Sequence, residues 1–98
     1  MKHIKIGHIC YKVKKVKRLN DGGGNVMYGQ INYGKSLIEL DAGMNCQHTR
    51  QTLWHEAIHA IMSHSGIEKH DEQLVEILAS GIMQVINDNP SMGKKTGV

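Results

Sequence analysis

Thr52-Leu53-Trp54-His55-Glu56-Ala57-Ile58-His59-Ala60-Ile61-Met62 is the stretch from which the rest of this 98-residue chain is read. Leu53, Trp54, Ala57, Ile58, Ile61 and Met62 recur at three- and four-residue spacing, the period of a helix that buries one side. The same period sets His55 and His59 on one face, so their two imidazoles converge on one point. Glu56 follows His55 by about 100° around the helix and lies beside that point, not on it. This helix is expected to start near Asn45 to Gln47 and to run to His64. Ser65-Gly66 then stops it, with a glycine free to take the left-handed cap.

Downstream, His70-Asp71 opens a second helix with Asp71 as its N-cap. Leu74, Val75, Leu78, Ala79, Ile82, Val85 and Ile86 give it an apolar face, Asn87 to Pro90 ends it, and residues 91–98 read as a frayed tail. Upstream the period changes to two. Ile4, Ile6, Ile9, Tyr11, Val13 and Val16 roughly alternate with polar residues across Lys2 to Lys17, a strand pattern whose phase breaks near Gly7 as at a bulge or bend. Asn20-Asp-Gly-Gly-Gly-Asn25 is a turn signal. Val26 to Tyr33 is a second strand, Asn32 to Lys35 a turn, and Ser36 to Asp41 a third strand. The expected fold is α+β, one domain over residues 1–90. A small antiparallel sheet of about three strands, a meander if neighbours pair, precedes a two-helix hairpin.

Composition bounds the core. With no Phe, one Trp and three Tyr, it must be aliphatic, and a bound metal can supplement so small a core. Met27, Met44, Met62, Met83 and Met92 are too scattered for a soft-metal site and read as fillers. Cys10 and Cys46 form no CxxC pair, Met1 to Ile6 has no continuous apolar run of the kind that heads a signal peptide, and no stretch nears the roughly 20 apolar residues of a membrane span. A cytoplasmic protein with reduced thiols, and no membrane partner, is the expectation. Net charge is +3, and seven of the twelve Lys and Arg fall within the first 18 residues. A basic run such as Lys12 to Arg18 fits either a nucleic-acid patch or the solvent face of a strand, where Lys also discourages edge pairing. Only Tyr11 interleaves with the charges, which favours the solvent face. Gly22-Gly-Gly24 precedes a strand, so it is not a phosphate loop.

Two histidines four apart on a helix are a metal-ligand pair, and His-His-carboxylate chemistry favours zinc. Zinc lowers the pKa of its bound water toward about 7, and Glu56 is placed to take that water's proton as general base. A bare HExxH arises by chance at roughly the 2% level in such a chain; its position mid-helix, among apolar residues, strengthens it. Third-ligand candidates are Glu72, Glu76, Asp71, His64 and His70. If the helices run antiparallel with their facing ends level, His59 sits opposite Glu76 and His55 opposite Ser80, and Glu72 falls a turn too near the bend. Glu76 is therefore ranked first and Glu72 second. Ala79, Ser80 and Gly81 allow close approach, and Ser80 could orient His55. His48 could line the cleft mouth, and Tyr28 or Tyr33 could offer a hydroxyl to a developing oxyanion, although both fit ordinary strand positions.

The stretch Thr52 to Ile61, with Glu72-Gln-Leu-Val-Glu-Ile-Leu-Ala-Ser-Gly81 and Asn87-Asp-Asn-Pro90, resembles small phage- and prophage-encoded metallopeptidases. These are related to ImmA/IrrE-type zincins and, more loosely, to the SprT-like group. The resemblance covers roughly residues 36 to 90. It implies a minimal zincin in which an edge strand aligns an extended peptide, His55, His59 and Glu76 hold Zn2+, and Glu56 is the catalytic acid/base. The chain departs from that family at Ala57-Ile58, where Leu-Gly is usual, and at Glu76-Ile-Leu, where Glu-Ala-Asn is usual. Two functions follow as expectations. One is a zinc metallopeptidase acting on a protein or peptide substrate; the other is a non-catalytic metal-binding interaction module.

Overall fold

The computed structural model describes residues 2–92; the tail from residue 93 onward lies outside the described residues. The chain forms four strands and then two helices: β1 (His3–Ile6), β2 (Ile9–Val16), β3 (Gly29–Asn32), β4 (Leu37–Asp41), α1 (Cys46–His64) and α2 (Glu72–Asp88). The α+β class stands. The strand count and pairing expected from sequence are corrected in two places.

First, the single N-terminal strand is a hairpin. Ile6 pairs with Ile9 across a two-residue loop, and Gly7, its first residue, has φ +62°. A positive φ at that position belongs to the II′ hairpin turn, which matches the twist of the flanking strands. Second, the sheet is mixed, in the order β1-β2-β4-β3. β2 and β4 pair in parallel, Val13 opposite Ile38 and Lys15 opposite Leu40, while β3 pairs antiparallel to β4 at the edge. Burial accounts for this order. Ile38 and Leu40 of β4 are 0% and 1% exposed, so β4 belongs in the middle; β3, Gly-Gln-Ile-Asn, has no fully buried residue. β2 is thus an interior strand, and its exposed Lys12 and Lys14 cover the solvent face without guarding an edge.

α1 packs across the sheet. Ala57 and Ala60 meet Ile6, Tyr11, Ile38 and Leu40, and the two alanines let the helix sit close. Asn45 caps its N-terminus by accepting from the His48 amide. At the other end Gly66 takes φ +88°, and the Ile67 amide closes back on the Met62 carbonyl at 3.0 Å, the wrap of a glycine-terminated helix. The last turn is anchored on the sheet by the buried Tyr11, whose hydroxyl lies 2.8 Å from His64 Nε2. α2 begins at Asp71, which accepts from the Gln73 and Leu74 amides. It packs on α1 through Val75 and Ala79 against Ile58 and, among the described residues, touches no strand.

Candidate metal centre

The HExxH face of α1 looks toward the first two turns of α2. His55 and His59 are half-buried, their ring centroids 4.9 Å apart. Both present Nε2 to one carboxylate: His55 Nε2 lies 3.1 Å from Glu72 Oε2, and His59 Nε2 lies 3.0 Å from Glu72 Oε1. The group His55, His59 and Glu72 could therefore hold a metal ion, its ligand atoms all within 4.8 Å of one another.

Glu76, ranked first from sequence, is at the site in a different place. Its Oε2 meets the other nitrogen of His55, Nδ1, at 2.8 Å, and its remaining oxygen accepts from Gln51 Nε2. Glu72 alone faces both Nε2 atoms. The difference of one turn has a physical cause. α1 runs on to His64, past the level at which α2 begins. The Ser65–Asp71 connection then folds back beside α1, bringing His70 against His59. α2 accordingly starts level with His59. Ser80 bonds Gln51 at 2.8 Å and leaves His55 alone; His64 faces the sheet, and Asp71 is spent on its cap.

Glu56 is 7% exposed. Burial pushes its carboxyl up to about 6 from 4.5, the neighbouring His55 opposes the rise, and Glu72 adds to it. A carboxyl in that range holds and releases protons near neutrality, as a general base must. Burial also lowers the His59 pKa, which favours the neutral, ligating imidazole. Glu56 lines a cleft of about 500 Å³ with His55, His48, Tyr28 and Gly29. His48 and Tyr28 pack together at its mouth, ring centroids 4.7 Å apart. Tyr33, on the turn after β3, is not among the lining residues.

Sequence reading missed Gly29. A Cβ on this residue would stand 2.6 Å from Thr52 Cγ2 and 3.4 Å from Glu56 Cγ. The edge strand therefore approaches the Thr52–Glu56 turn of α1 only because position 29 lacks a side chain. A glycine inside the strand pattern expected from Val26 to Tyr33 was the available signal. No family model, curated protein or solved structure matches the chain.

The donor set fits zinc. Bonds of about 2.0–2.1 Å in tetrahedral geometry separate ligand atoms by roughly 3.3 Å. The two nitrogen–oxygen separations observed, 3.1 and 3.0 Å, need only a few tenths of an ångström of spreading. Glu72 is largely exposed, its side chain 69% accessible, so it can move that far without disturbing the core.

Proposed function

We propose that this chain is a minimal, zincin-like zinc metallopeptidase, cytoplasmic and acting on a protein or peptide held in an extended conformation. The observation that carries the reading is the meeting of His55 Nε2, His59 Nε2 and the Glu72 carboxylate, with buried Glu56 beside them. His55, His59 and Glu72 would hold the zinc, which would supply a Lewis acid able to acidify a water and polarise a carbonyl. Glu56 accepts the proton of the attacking water and returns it to the departing amine. Its raised pKa suits both transfers, since a carboxyl near 6 is a better base than an exposed glutamate and still mostly ionised at neutral pH.

β3 is a sheet edge next to the cleft, so its free backbone groups can pair with a substrate strand. Gly29 keeps that edge within reach of Glu56. Exposed, unpaired Cys10 and Cys46 suit a reducing compartment.

Metal content measured by elemental analysis, followed by peptide hydrolysis, tests the reading. Near-stoichiometric zinc in the wild type, lost in His59→Ala and Glu72→Ala, is expected. Glu56→Gln should keep the zinc and lose hydrolysis. A wild type that takes up no metal when zinc is supplied overturns the centre, and hydrolysis that survives Glu56→Gln overturns the mechanism.

A further inference from the structure

His70 lies in the connection between the helices and belongs to none of the roles above. Its Nε2 is 2.8 Å from the Ile67 carbonyl oxygen. A carbonyl carries no proton, so His70 Nε2 must be the donor. In a neutral ring the other nitrogen, Nδ1, is then a bare lone pair. That atom lies 2.6 Å from His59 Nδ1, which must therefore carry the proton they share. With a cation between its Nε2 and the Glu72 carboxylate, 3.0 Å away, His59 carries its single proton on Nδ1 and donates it to His70. The two rings also stack, centroids 4.9 Å apart and planes inclined by 23°, which holds the imidazole of His59 in one orientation.

The acceptor at the far end is itself held in place. Gly66 at φ +88° turns the chain out of α1, and the Ile67 amide is tied to the Met62 carbonyl at 3.0 Å. That helix stop aims the Ile67 carbonyl at His70. On the other ligand Glu76 takes the corresponding place, accepting from His55 Nδ1 at 2.8 Å. A ligating histidine commonly hands its second N–H to a carboxylate or a carbonyl. His55 follows that pattern directly; His59 follows it through an intervening imidazole.

We propose that His70 is a positioning residue for the metal centre. It accepts the Nδ1 proton of His59 and fixes the orientation of that ring, so that Nε2 is aimed at a zinc-class divalent cation. The inference rests on the metal-centre reading. His70 is not a fourth ligand in this arrangement, because it approaches the Nδ1 side of His59, away from Glu72.

Long-range proton–nitrogen correlation spectra of the zinc-loaded, 15N-labelled chain at about pH 8, where imidazoles are neutral, read the tautomers directly. His59 should carry its proton on Nδ1 and His70 on Nε2; a proton on His70 Nδ1, or a doubly protonated His70, overturns the assignment. Zinc affinity by competition with a chromophoric chelator gives the consequence. His70→Ala should weaken zinc binding by roughly 10–100-fold, and His70→Asn, whose side-chain oxygen can accept from Nδ1, should recover part of the loss. The cobalt-substituted absorption spectrum should keep its band positions in His70→Ala, since the ligand set is unchanged. A spectrum that signals one nitrogen ligand fewer makes His70 a ligand and overturns the positioning role. Unchanged affinity in His70→Ala, with the wild type binding zinc, overturns this inference alone; a wild type that binds no zinc overturns the metal-centre reading and the inference with it.

Discussion

Glu56→Gln should make the metal-free protein more stable, and by an amount that depends on pH. Burial raises the Glu56 carboxyl from 4.5 to about 6 in the folded chain. Between those two values the folded state holds a proton that the unfolded state has released, so stability falls as pH rises through the window. Below it both states are protonated and the penalty vanishes; above it the penalty is constant. One and a half pKa steps at about 1.4 kcal/mol each give a cost of about 2 kcal/mol at neutral pH and above. Glutamine has the same shape and no charge, so the substitution removes the cost. For a domain of this size that corresponds to a rise in Tm on the order of 10 °C, or roughly 1–2 M in the urea midpoint. Urea melts of both proteins in chelator, at about pH 4.5, 6 and 8, give the profile. The gain should be near zero in acid and largest at the alkaline end. A glutamine variant no more stable than the wild type at about pH 8, or a gain as large in acid, refutes the account of Glu56 as a carboxylate held ionised against its surroundings.

Glu72→Ala should abolish zinc retention, whereas Glu76→Ala should keep a full equivalent with affinity reduced roughly 10–100-fold; elemental analysis and chelator competition separate the two, and the reverse pattern would restore the sequence ranking. Gly29→Ala should cost about 1–3 kcal/mol in urea melts through overpacking, and much of that should return in a Thr52→Ser background, which removes the methyl 2.6 Å from the new Cβ; absence of rescue would place the strain elsewhere. For peptide hydrolysis, kcat/KM should rise with pH as Glu56 loses its proton, the limb lying at or below about 6 because a nearby dication favours the carboxylate; no acid limb at all would count against Glu56 as the base. Tyr11→Phe should lose about 1 kcal/mol through the hydrogen bond to His64, read from the urea midpoint; no loss would mean that the bond does not hold the end of α1.

The helices were legible because their determinants are local. Asn45 and Asp71 cap as their side chains dictate, Gly66 ends α1, and the spacing of His55, Glu56 and His59 places all three on one turn-and-a-quarter of helix. The sheet order was not legible, since pairing is a choice among distant segments. The period of two survives on both sides of Gly7, and only the positive φ there turns one long strand into a hairpin. The identity of the central strand followed from burial, Ile38 and Leu40 against Gln30 and Asn32, which alternation alone does not rank. Glu76 was placed ahead of Glu72 by assuming that the facing helix ends are level. What breaks this assumption is the connection between the helices, which folds back so that His70 lies against His59 and α2 begins a turn further along α1; neither periodicity nor capping residues record that path.

The same fold-back decides how the site is built in so small a chain. Among the described residues α2 rests on α1 alone, through a short apolar cluster of Val75, Ala79 and Ile58, while Leu74, Ile77 and Leu78 stay largely exposed. So little burial is a weak hold for a helix that must supply a ligand. The polar contacts across the helix pair are therefore structural as well as chemical: Gln51 to Glu76 and Ser80, His55 to Glu72 and Glu76, and His59 to Glu72 and His70. All of them lie on the side where a cation would sit, and among the described residues the opposite side of α2 has no comparable set. A divalent cation drawn to His55, His59 and Glu72 joins α2 to the helix that carries the sheet, and its binding free energy adds to folding by linkage. The register set by the folded-back connection makes that possible, because it lays the acidic first turn of α2 against the two imidazoles and keeps Glu76 for the outer nitrogen of His55.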